Sequence, residues 1–104
     1  MERIETAIWT APPISQAPVV ELIDWSAVRL PTGKVRLIGY DPEVCEGRVS
    51  TSVKEFDSAT KTATTRSGRK YVLTGDPGWS EAGWRVFRRM WGDTDFTDVT
   101  EDFL

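Results

Sequence analysis

The chain has 104 residues, 39% hydrophobic and 28% charged, with a formal net charge of −3, which describes one small domain with one modest core and leaves no room for a second. It contains no histidine and a single cysteine, Cys45, so intramolecular disulfide stapling, Ser-His-Asp catalysis and Cys-His catalysis are all excluded. Five tryptophans favour a packed domain, since disordered chains are poor in aromatics.

Residues 1–18 hold Pro12, Pro13 and Pro18 with little periodicity and read as an extended N-terminal arm. The arm lacks a basic start followed by an apolar run, so it does not read as a signal peptide. No stretch of the sequence is apolar for long enough to span a membrane, and the expected setting is a soluble protein of the cytoplasm. Residues 19–92 form the predicted domain. The pattern places strands at 19–30 and 34–40, joined by the Pro31-Thr32-Gly33 turn. Residues 41–47, DPEVCEG, are a loop opened by Asp41-Pro42. A third strand covers 48–56, with Val49, Thr51 and Val53 on one face and a bulge near Glu55 where Phe56 breaks the phase. Strands at 61–66 and 69–74 flank a tight Ser67-Gly68 hairpin, because glycine accepts positive φ cheaply.

The period then changes. Ser80 is a suitable N-cap for a helix over 81–91, and Gly92 is a suitable terminator. Trp79 and Trp84 have the spacing of a hydrophobic staple. Trp84, Phe87 and Trp91 form an apolar side that must pack on the sheet, with Arg85, Arg88 and Arg89 opposite. Gly83 weakens the first turn by about 1 kcal/mol against alanine. Residues 93–104 form an acidic tail. They hold five acidic residues and no lysine or arginine, while residues 1–92 hold 13 Lys+Arg against 11 Asp+Glu. The expected fold is mainly β: five short antiparallel strands in a bent sheet or SH3-like barrel, with one C-terminal helix.

The string TRSGRKYVLTGDPG at 65–78, with TSVKEFD upstream at 51–57, resembles a segment of small bacterial proteins of uncharacterised function. The resemblance covers about a third of the chain and implies no activity, cofactor or site residue. With the small size and acidic balance, it fits a phage- or plasmid-borne accessory protein.

Little in the sequence supports catalysis. No GxxxxGK[ST] or GxGxxG string is present for nucleotide binding. One cysteine is too few for the usual zinc ligand sets. Asp41, Glu43 and Glu46 make half of a calcium loop but lack its alternating oxygen ligands. Cys45 sits between Glu43 and Glu46, poor surroundings for a thiolate nucleophile. An enzyme using only carboxylates is the least favoured class, since a chain this short leaves little room for a deep cleft. No cofactor and no metal are expected.

Two surfaces remain as candidates. Arg66, Arg69 and Lys70 on the hairpin, extended by Arg85, Arg88 and Arg89 of the helix, could track a phosphate backbone. In the tail, Phe96, Val99 and Phe103 alternate with acids, as in a peptide that anchors to a partner or covers its own cationic surface. The alternative is that these apolar residues finish the core while the acids stay wet. The sequence reading is a non-enzymatic adaptor acting by protein–protein contact, with a small single-stranded nucleic-acid-binding barrel as the alternative.

Overall fold

The computed structural model describes residues 18–104, so the predicted arm lies outside the described residues apart from Pro18. The domain is mainly β with one α-helix. Seven strands form one sheet among these residues: β1 Val19–Arg29, β2 Val35–Asp41, β3 Glu46–Val49, β4 Val53–Asp57, β5 Thr62–Thr65, β6 Lys70–Leu73 and the two-residue β7 Thr97–Asp98. The helix α1, Glu81–Trp91, lies between β6 and β7, and a 3₁₀ turn Thr100–Phe103 follows.

The spatial order is β3-β2-β1-β6-β5-β4, with β7 on β1. Thus β1-β2-β3 and β4-β5-β6 are two antiparallel meanders. They meet in a parallel ladder, Val19↔Lys70 to Leu22↔Leu73. This corrects the expectation of five antiparallel strands: the sheet is mixed and has more strands. The first half of β1 pairs β6, and its second half pairs β2 and β7. Asp24, at φ +49, lies where the β1–β2 register shifts, and this irregularity bends the strand between its two roles.

The predicted third strand is two strands. Ser50 to Ser52 leave one meander for the other, so Val49 and Val53 join different core clusters instead of sharing a face. Ser50 holds this corner, its hydroxyl accepting from the Leu37 amide at 2.9 Å while its own amide donates to the Leu37 carbonyl. The link joins the two ends of the strand order, so the sheet must curl. It is nevertheless open, and the expected barrel is not closed.

The core has two parts. Inside the curl lie Leu22, Trp25, Leu37, Tyr71, Leu73, Val99 and Phe103. On the other side, Val28, Ile38 and Val49 pack against Trp84 and Phe87 of α1. Period two explains the division: Leu37 and Ile38 are neighbours in β2 and face opposite clusters. Residues 97–103 belong to this body. The Val99 amide donates to the Ala27 carbonyl at 2.9 Å, and the Phe103 ring lies 4.8 Å from Phe56.

The helix sits very close to the sheet. A Cβ added at Gly83 would lie 2.6 Å from the Gly39 carbonyl oxygen, and one at Gly47 would collide with the backbone of Ala82 and Gly83. The glycine that weakens the helix locally is what lets its first turn rest on strand backbone. At the far end of the 41–47 loop, Arg48 Nε donates to Asp41 Oδ2 at 3.0 Å with both side chains buried. The other Asp41 oxygen accepts from the Glu43 amide, so this carboxylate is engaged by the protein instead of facing a calcium loop.

Candidate functional site

The site is built from the two flanks of α1. Ser80 caps the helix, its hydroxyl accepting from the Gly83 amide at 3.0 Å. Trp79, immediately before the cap, stacks on Trp84 with centroids 4.5 Å apart and rings 8° from parallel, the staple that the spacing predicts. At the other end, Gly92 takes φ +60, its amide donates to the Arg88 carbonyl, and the chain turns back along the helix. The β7 pairing on β1 then fixes the return path and seats Phe96 against Trp84 at 5.2 Å and Phe87 at 5.7 Å.

The result is a groove of about 370 Å³ between helix and return loop. Trp79, Trp84, Phe87 and Phe96 supply its aromatic walls, and Arg88, Asp93 and Asp95 its charges. Trp84 and Phe87 are buried core residues that also line the groove. Trp79 is 61% exposed and Phe96 43% exposed. A large exposed indole is unusual, and this one stacks on a buried neighbour.

The cationic residues distribute differently. Arg66 and Lys70 are exposed at the β5–β6 hairpin, where Gly68 has φ +94 as the turn requires. Arg69 is buried at 7% exposure and is not without a partner, and that burial takes it out of the predicted docking surface. Arg85, Arg88 and Arg89 are exposed on α1, and of these Arg88 lines the groove. Sequence reasoning passed over Arg36. Its guanidinium lies 4.7 Å from the Trp91 ring centroid and donates to the Ser50 carbonyl at 3.1 Å. Burial, and then the nearby Arg66 charge, lower its pKa from the usual arginine value.

Of the tail anchors, Val99 and Phe103 are buried, so neither side chain can reach a partner while the tail is packed. Phe96 alone of the three is exposed. The tail also touches the body through Lys61 Nζ, which donates to the Phe103 carbonyl at 3.2 Å, and through a long contact of 4.0 Å between Arg29 and Asp102. That exposed pair contributes little.

A second concavity, about 340 Å³, lies on the outer face of β4, β5 and β6, lined by Glu55, Asp57, Lys70 and threonines. Its described lining residues include no aromatic side chain, and Lys70 and Thr64 already meet there at 3.4 Å. Cys45 is exposed, with φ +57, and its thiol contacts the Pro42 carbonyl at 3.7 Å. The neighbouring Cys45 side chain, foremost, raises the pKa of the Tyr40 phenol above the usual tyrosine value, with lesser contributions from desolvation and from the negative charge of Asp41. Among the described residues no group of three or more Cys, Asp or Glu is placed to hold a metal ion. Among them also, no helix is long and apolar enough to cross a membrane. No family model, no curated protein and no solved structure matches the chain.

Proposed function

We propose that the chain is a non-enzymatic binding module acting by protein–protein contact, with the aromatic groove beside α1 as its docking surface. The observation that carries this reading is Trp79, exposed yet stacked at 4.5 Å on a buried neighbour. A pre-ordered indole loses little side-chain entropy when a partner covers it. Tryptophan and arginine dominate interface hot spots, and Arg88 lines the same groove. The walls stand on a helix and on a return loop anchored by a β ladder, so the surface is positioned by rigid elements. The SH3-like reading of the curled sheet belongs to this proposal, as the scaffold of such a module. So does the cytoplasmic setting, for which the lack of disulfides in a chain this small argues.

Selection from a displayed library of random peptides tests the reading. Peptides recovered on the wild-type protein should lose about 30-fold or more in affinity on Trp79→Ala, the scale of a hot-spot residue. Trp79 is exposed, so the variant should stay folded. A library that yields no binder, or binders indifferent to both Trp79→Ala and Phe96→Ala, would overturn the assignment.

A further inference from the structure

We infer that the groove is selective for an arginine side chain presented by the partner segment. This rests on the docking surface proposed above and adds what the surface recognises. Three observations support it. Asp93 and Asp95 line the same concavity as the Trp79 and Phe96 rings, and Arg88 is the single cation among its described lining residues, so two carboxylates stand against one guanidinium there. Both aspartates are exposed, so they are accessible to a ligand. Trp79 covers Trp84 with one ring face and is still 61% exposed, which leaves its other face to solvent. The π face of an indole is electron-rich and attracts cations more strongly than other side-chain rings.

Arginine fits this pairing of ring and carboxylate better than lysine. Its planar guanidinium stacks on an aromatic face while its N–H fork reaches a carboxylate, whereas an ammonium is a compact, strongly hydrated point charge. The chain already contains a stacking of this type, with the Arg36 guanidinium over Trp91 at 4.7 Å and one nitrogen donating to the Ser50 carbonyl. An anionic ligand is disfavoured at the groove by the same aspartates, so phosphate chemistry and groove chemistry call for opposite charges.

The test is an NMR titration of the full chain with N-acetyl-arginine amide and with its neutral isostere N-acetyl-citrulline amide. The arginine compound should give saturable shifts at the Trp79 indole N–H and the Asp93 and Asp95 amides. Citrulline should bind about two- to fivefold more weakly, the range expected for a cation at an exposed ring. The double variant Asp93→Asn, Asp95→Asn should weaken arginine binding by a similar factor and flatten its dependence on salt. Equal binding of the two compounds, or arginine shifts that avoid Trp79, would refute the inference, as would the absence of saturable shifts. The library separates this failure from that of the docking surface. Selected peptides that need Trp79 but tolerate citrulline in place of arginine sink the arginine selectivity alone. Peptides that ignore both Trp79 and Phe96 sink the surface itself.

Discussion

Replacing Gly83 by alanine tests how the helix is seated, because local and tertiary effects predict opposite signs. In an isolated helix the change is favourable by about 1 kcal/mol. Here the new methyl would meet the Gly39 carbonyl oxygen at 2.6 Å, the Gly39 nitrogen at 2.9 Å and Ile38 Cγ2 at 3.0 Å. Two of these atoms are backbone in the middle of β2 and cannot swing aside. The helix must rise by roughly half an ångström, and gaps of that size forfeit about a quarter of each dispersion contact beneath it. Trp84 and Phe87, at 4% and 1% exposure, are the residues that lose those contacts. Overpacking of this kind costs about 1–3 kcal/mol, and against a backbone obstacle the upper end applies. The net expectation is a loss of about 2 kcal/mol despite the propensity gain. With an m-value of about 1–2 kcal/mol/M, the urea midpoint should fall by about 1–2 M. An unchanged m-value with a midpoint at or above wild type would refute the close seating.

Two further predictions concern the tail and the 41–47 loop. Phe103→Ala should destabilise by about 3–5 kcal/mol, because the ring is buried against Phe56 in the inner core; a melting temperature within a degree or two of wild type would mean that the tail is peripheral. Cys45→Ala should lower the Tyr40 phenol pKa toward the usual tyrosine value, read by ultraviolet titration in a Tyr71→Phe background, since the chain has two tyrosines. The raised value means that the neutral phenol is favoured in the fold. Its contribution is full below the ordinary tyrosine range and is lost as pH rises through the folded value. A Tyr40 titration indifferent to Cys45→Ala would remove the thiol as the cause.

Legibility in the sequence followed the range of the interactions. The helix at 81–91, its Ser80 cap and its Trp79–Trp84 staple all rest on contacts within five residues, and all are present. The Ser67-Gly68 turn and the irregularity between Val53 and Glu55 are equally local. The parallel β1–β6 ladder is not, because nothing near Val19 indicates Lys70. The 48–56 run reads as one strand because its composition does not change at Ser50, where the chain changes meander. Half of the groove was readable for the same reason. Trp79, Trp84 and Phe87 announce themselves by helical spacing, whereas Asp93 and Asp95 reach the groove only because β7 docks on β1 and carries them back along the helix. Val99 and Phe103, read as partner anchors, are taken by a core that the tail residues alone do not reveal.

The Ser50–Ser52 link gives the domain an uneven assembly problem. Each meander is built from neighbouring strands and can form early with little loss of chain entropy. The ladder that unites them pairs residues roughly fifty apart, and closing so long a loop is slow relative to forming a hairpin. Until it closes, the edges of β1 and β6 are both unpaired, and each could accept a strand from another molecule. A second copy offers the same two edges in the same register, so an exchange of meanders between two chains would satisfy every ladder of the fold. The short link would then act as the hinge, and its length would decide whether the chain closes on itself or on a neighbour.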